Sequence, residues 1–165
     1  MVKNLFLQLL FFLVLFHSIS WFRELSLLDT DGSQAAPQVI LKAFDGSDVH
    51  LESLQGKPTL VYFWAPWCSV CKVSMPNLQD FYDKHNQEVN VLAIALSYES
   101  QEEVTEFMSQ KAYTFDAVLG DNSVAQKFKI QGFPTYYFLD ENNKVVSKSM
   151  GYTSEIGMTI RSFVL

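Results

Sequence analysis

Thr59-Leu-Val-Tyr-Phe-Trp64 is a six-residue run with almost no polar face. Its β-branched and aromatic residues suit a strand, and a strand apolar on both sides must be covered on both sides. Residues 89–96 (VNVLAIAL) repeat the pattern, and 135–140 (TYYFLD) come close to it. Between the first two runs, Met75, Leu78, Phe81 and Tyr82 recur at helical spacing, so 68–86 predicts a helix, kinked at Pro76. After the second run, Ser100 and Glu103 have the spacing of a capping box, and Val104, Phe107 and Met108 supply an apolar stripe. Strands separated by helices require parallel crossovers. The remaining segments complete the order: a short strand at 39–44, a second short strand or a turn of helix at 49–54, a strand running into a loop at 115–120 and a short helix at 122–128. A hairpin follows over 135–150, and a last helix over 153–164 capped by Thr153 or Ser154. The expected fold is α/β, a mixed central sheet with helices on both faces.

The N-terminus is different material. Residues 5–22 are nearly continuous apolar sequence, with Lys3 before them and Arg23 and Glu24 after. A cleaved signal peptide calls for a shorter apolar core and a small-residue site, for which Ser18-Ile19-Ser20 is the candidate. An uncleaved anchor calls for roughly 17–25 apolar residues. The length, and Trp21 and Phe22 at the interface, favour the anchor. The expected organisation is an N-terminal membrane anchor or signal peptide at 1–24, a linker at 25–37 and one folded domain at 38–165. Within the linker, the polar stretch 29–38 reads as a flexible tether. Lys3 mildly favours a cytoplasmic N-terminus and an exported body.

A net charge of −6 and the lack of a Lys/Arg run argue against a nucleic-acid partner, because phosphate binding needs a basic patch. The acidic group Glu99, Glu102, Glu103 and Glu106 reads as a solvated helix face.

The chain has two cysteines, Cys68 and Cys71, in "WAPWCSVCK". A structural disulfide gains little from closing so short a loop. A zinc site needs about four ligands, and His17, His50 and His85 are scattered along the chain. Copper(I) accepts two thiolates, so a soft-metal carrier stays open as an alternative. The redox reading explains more. A cysteine that follows a strand and opens a helix faces unpaired backbone N–H groups and the positive end of the helix dipole, which favour the thiolate. A second cysteine three residues on lies one turn away and can bond the same sulfur.

"VYFWAPWCSVCK", Pro76 five residues beyond Cys71, and "GFPTYYFLD" (132–140) resemble the thioredoxin superfamily over nearly all of 38–165. The lead-in "FDGSDVHLESLQGKPTLVYFWAPWC" is similar to the exported, membrane-tethered TlpA/ResA-like branch, and the short anchor with "WCSVC" to its suppressor-of-copper-sensitivity D group. The resemblance implies a thioredoxin fold and a thiol–disulfide oxidoreductase that works through catalytic Cys68 and Cys71 without an organic cofactor or metal. It implies a protein disulfide as substrate, a membrane electron donor of the disulfide-reductase type, and a domain on the periplasmic side of a bacterial inner membrane. Reduction is the expected direction, with dithiol oxidation or isomerisation as the alternative. Pro134 matches the family's cis-proline loop, which places Phe133, Pro134 and Thr135 beside the substrate. Trp67, next to Cys68, is a further substrate-side candidate, with plain packing as the alternative. Two positions depart from the pattern. Tyr62 stands where thioredoxin has a buried Asp, and Ser74 where ResA-like proteins often carry a Glu, so no general base for Cys71 is legible.

Overall fold

The structure, a computed structural model, describes residues 7–15, 18 and 26–163. Residues 7–15 form helix α1, with exposed apolar side chains. Most of the rest of the expected 1–24 anchor lies outside the described residues. Among those described, no helix is long and apolar enough to cross a membrane.

The domain is built on a seven-stranded sheet. Its strands are β1 (Ile40–Lys42), β2 (Asp48–His50), β3 (Thr59–Trp64), β4 (Asn90–Ala95), β5 (Asp116–Leu119), β6 (Thr135–Leu139) and β7 (Val145–Met150). They lie in the order β2-β1-β5-β4-β3-β6-β7. The β3, β4 and β5 strands run parallel, and all other pairings are antiparallel. The helices are α2 (Ser69–His85), α3 (Gln101–Lys111), α4 (Asn122–Lys127) and α5 (Glu155–Ser162), with a 3₁₀ turn at Leu51–Leu54. This is the thioredoxin-like α/β architecture expected, with the mixed sheet at its centre.

The alternation along β3 shows why its sequence has no polar face. Leu60, Tyr62 and Trp64 join a core under α2, α3 and α5, with Met75, Leu78, Phe81, Val104, Met108 and Met158. Val61 and Phe63 point the other way, into a core with Leu41, Leu51, Val124, Phe128 and Tyr137. Both faces of the strand are therefore dry, and polar side chains there would lose their water without compensation.

Helix starts follow from side-chain caps. Ser100 Oγ accepts the Glu103 amide at 3.3 Å, while the Glu103 carboxylate reaches back to the Glu99 amide, one residue before the usual target. Asp121 caps α4 by accepting the Val124 amide at 2.9 Å. Ser154, not Thr153, caps α5 through the Gly157 amide at 3.2 Å. Helix α2 continues through Pro76, where the Lys72 carbonyl loses its intrahelical donor.

The segment ahead of β1 is not loose. Leu27 and Leu28 are each 1% exposed and belong to the second core. The Ala36 amide donates to the Asn143 carbonyl, the Val145 amide donates to the Gln34 carbonyl, and Ala35 bridges Lys144. The stretch read as a flexible tether is thus bonded to the hairpin of β6 and β7. Composition suggested a linker because Asp, Gly, Ser and Gln dominate it, but its backbone groups find partners on the domain.

Three phenols, those of Tyr62, Tyr136 and Tyr137, are fully buried. Burial pushes all three up from their ordinary value, Tyr137 to about 12. In the unfolded chain they ionise near about pH 10. Above that the unfolded state releases protons that the folded state keeps, so stability falls as pH rises, by about 1.4 kcal/mol per pH unit per tyrosine. Denaturant midpoints should hold level to about pH 10 and then drop. Tyr137→Phe should flatten part of that drop.

Candidate active site

The sheet register gathers the site. β3 and β4 are parallel and in step, Trp64 opposite Ala95, so the loops that leave them, 65–68 and 96–100, emerge side by side. β6 runs antiparallel to β3 and starts with Thr135 opposite Phe63. Pro134 therefore arrives at the end of the sheet where β3 hands over to Cys68. Open α/β sheets place their chemistry at this edge, beyond the carboxyl ends of the parallel strands.

Cys68 is the N-cap of α2. Its Sγ accepts the Cys71 amide at 3.1 Å, and its carbonyl accepts the Lys72 amide at 3.1 Å. The sulfur therefore occupies the place a Ser or Asp oxygen takes at an ordinary helix start. There the free amides and the helix dipole favour a negative atom. Cys68 and Cys71 are joined as a disulfide, with Cα atoms 5.2 Å apart. The two differ in access: Cys68 is 5% exposed, while Cys71 is fully buried. Of the two, Cys68 alone keeps any exposed surface.

The surroundings are apolar. Trp67 is 61% exposed and is held in place at two points. Its Nε1 donates to the Ser97 carbonyl at 2.8 Å, and its ring meets Phe133 edge-on at 5.7 Å. Val70 and Val73 are exposed on the outer side of the first turns of α2. Lys72 lies over the Phe107 ring at 5.9 Å, and Phe107 packs on buried Trp64. The Phe133–Pro134 peptide bond is cis. The Pro134 carbonyl accepts the Gly151 amide at 2.8 Å, so this acceptor is already taken within the domain. Phe133 packs against the core that contains both cysteines. Thr135 is fully buried and its hydroxyl donates to the Gly132 carbonyl at 2.8 Å. It braces the loop, and offers a substrate no solvent-facing atom.

Behind Cys71 lies a pocket of hydroxyls. Tyr62 OH donates to the Cys71 carbonyl at 3.4 Å. Ser74, one turn on along α2, is fully buried, and the Tyr62 and Tyr136 rings are 4.9 Å apart. The hydroxyls of Ser74, Thr153 and Tyr62 surround that of Tyr136, yet Ser74 Oγ and Tyr136 OH have no protein partner at hydrogen-bonding geometry. Burial is the main influence on the Tyr62 phenol, and Tyr136 and Tyr113 add to it. Burial holds the Tyr62 phenol above its usual range, so it stays protonated at neutral pH. It can donate a hydrogen bond to the active-site helix, but it is no general base. The two departures from the thioredoxin pattern, Tyr62 and Ser74, thus face the same neutral pocket.

Sequence reasoning did not find the Ser97 carbonyl, which holds Trp67, because a backbone acceptor leaves no side-chain signature. Ser97 has φ of +52°, a left-handed conformation that its residue type does not announce.

The sequence matches the AhpC/TSA family over residues 33–148. The chain belongs to this thioredoxin-like family, and with its bonded Cys68–Cys71 pair it is a thiol–disulfide oxidoreductase. Among particular proteins, it is 29% identical to sporulation thiol-disulfide oxidoreductase A of Bacillus subtilis, over 85% of this chain and 87% of that one. It is 36% identical to thiol-disulfide oxidoreductase ResA of Oceanobacillus iheyensis, over 67% of this chain and 60% of that protein. The crystal structure of StoA from Bacillus subtilis superimposes with a TM-score of 0.68 at 25% identity, covering 77% of this chain and 97% of StoA.

Proposed function

We propose that this protein reduces protein disulfides on the outer side of a bacterial inner membrane, tethered by its N-terminal segment and recharged by a membrane dithiol donor. The observation that carries the chemistry is the placement of Cys68. Its sulfur sits at the amide end of α2 in a residue that keeps 5% of its surface exposed, bonded to a partner that is fully buried. The apolar run at 5–22 supports the tether. Confinement beside a membrane partner raises the effective concentration of that partner.

In the reduced protein the Cys68 thiolate attacks one sulfur of a substrate disulfide. The substrate bond breaks, one substrate thiolate leaves and takes a proton, and a mixed disulfide with Cys68 remains. Cys71 then attacks Cys68 Sγ as its thiol proton passes to the departing substrate sulfur. That second substrate sulfur leaves as a thiol, and the Cys68–Cys71 bond forms. Two electrons have passed from protein to substrate, and the bonded pair seen in the structure is the oxidised end of the cycle. A donor dithiol reverses the last bond and is itself oxidised. Trp67, Val70, Val73 and Phe133 give the substrate an apolar surface around Cys68.

Cys71→Ser tests this reading. It keeps the attacking sulfur and removes the resolving one, so mixed disulfides should accumulate on Cys68 in a membrane fraction and disappear on reduction. A variant that captures no thiol-linked protein contradicts the reading. The midpoint potential tests direction: a value near that of thioredoxin, about −270 mV, fits a reductase, and one near about −120 mV fits an oxidant.

A further inference from the structure

The segment entering the domain ahead of β1 contributes to the core on which the loop carrying Pro134 packs. Both backbone groups of Leu28 are held by side chains of the last hairpin. Its amide donates to Tyr137 OH at 3.2 Å, and its carbonyl accepts from Lys148 Nζ at 3.0 Å. The same Tyr137 hydroxyl donates to the Phe128 carbonyl at 2.8 Å. Phe128 closes α4, and the loop to Pro134 begins at the next residue, Lys129, with φ of +52°. One phenol thus ties residue 28 to the root of the loop.

The packing follows the same route. Leu27 and Leu28 share a core with Phe128 and Tyr137, and Ile130 and Phe133 pack on it from the loop. Phe133 also packs on the opposite core, which holds Cys68 and Cys71, and meets Trp67 edge-on. Among the described residues, Phe133 is the partly buried side chain that packs on both the core holding Leu27 and Leu28 and the core holding the two cysteines.

We propose that Leu27 and Leu28 form a clasp that positions the 129–134 loop, and through Phe133 the surface on which substrate lies. They are positioning residues, remote from the reacting sulfurs. The role in substrate binding rests on the proposed reductase function, while the structural coupling does not. A consequence is that residues 26–28 and the substrate loop are one mechanical unit: a change in how the chain enters the domain is felt at Phe133.

The test uses the full chain carrying Leu27→Ala and Leu28→Ala together. Amide exchange at 129–133 should quicken, and KM for a protein disulfide should rise about three- to tenfold with kcat little changed. Reaction of reduced Cys68 with a small aromatic disulfide, which needs no loop, should stay as in the unaltered protein. Lys148→Met, which removes one hydrogen bond and leaves the two leucines in place, should shift both readouts less in the same direction. It also serves if the double variant does not fold. Leu28→Met should restore KM. Val89→Ala, at the far end of the sheet from Cys68, should lower stability without moving KM. Unchanged exchange at 129–133 in both clasp variants overturns the proposal, as does a KM that follows stability alone across the set. If the unaltered protein turns over no protein disulfide, the reductase reading fails, and loop exchange alone decides whether the clasp exists.

Discussion

Cys68→Ser removes protein-disulfide reduction by about three orders of magnitude or more, as loss of the nucleophile in a covalent route does. Insulin reduction in the presence of a dithiol reductant checks it. The effect should not come from misfolding. Cys68 lies at the surface end of α2, and a Ser hydroxyl at an N-cap accepts the same amide that Sγ now accepts at 3.1 Å. The variant should keep its fold, losing only the stability that the short disulfide loop contributes. Retained turnover would remove Cys68 from the mechanism.

Ser74→Glu produces the second large effect, on stability. Ser74 is fully buried beside the Tyr62 and Tyr136 hydroxyls, none of which has a cationic hydrogen-bond partner among the described residues. A carboxylate there loses its water and gains only phenol hydroxyls, so its pKa must rise by a few units. The sign follows from linkage. The folded variant holds a proton that the unfolded chain, ionising near about pH 4.3, gives up. Below that pH the added cost is only the steric one of a longer side chain, about 1–3 kcal/mol. As pH rises toward neutrality the penalty grows by about 1.4 kcal/mol per unit until the buried acid ionises. Urea midpoints of the variant and the unaltered protein should therefore lie closest in acid and diverge toward pH 7. A constant gap across that range would mean that the pocket accommodates the charge.

The parts of this fold that were legible are those governed by local chemistry. The β3 run had to be covered on both faces because alternate residues enter two different cores. The helix over 68–86 was readable from Met75, Leu78 and Phe81, all of which face the first core. Capping residues marked the starts of α3 and α5 to within a residue. The parts that were not legible depend on pairings distant along the chain. Leu27 and Leu28 fell in the expected 25–37 linker, yet Leu28's partners Tyr137 and Lys148 lie more than a hundred residues away. Thr135 was read as a substrate neighbour by resemblance, but pairing of β6 with both β3 and β7 buries it. Trp67 could be packing or surface by sequence. The Ser97 carbonyl and the Phe133 edge make it a fixed, exposed plate. The hydroxyl pocket behind Cys71 needed the register that sets Tyr62 opposite Tyr136.

The central claim is that the amide end of α2 holds Cys68 as a thiolate. Titration of the single thiol in Cys71→Ser, followed by its rate of alkylation against pH, measures this directly. The position at the helix start predicts a midpoint well below about 8.5, the value of a free cysteine. A midpoint at or above that value contradicts it.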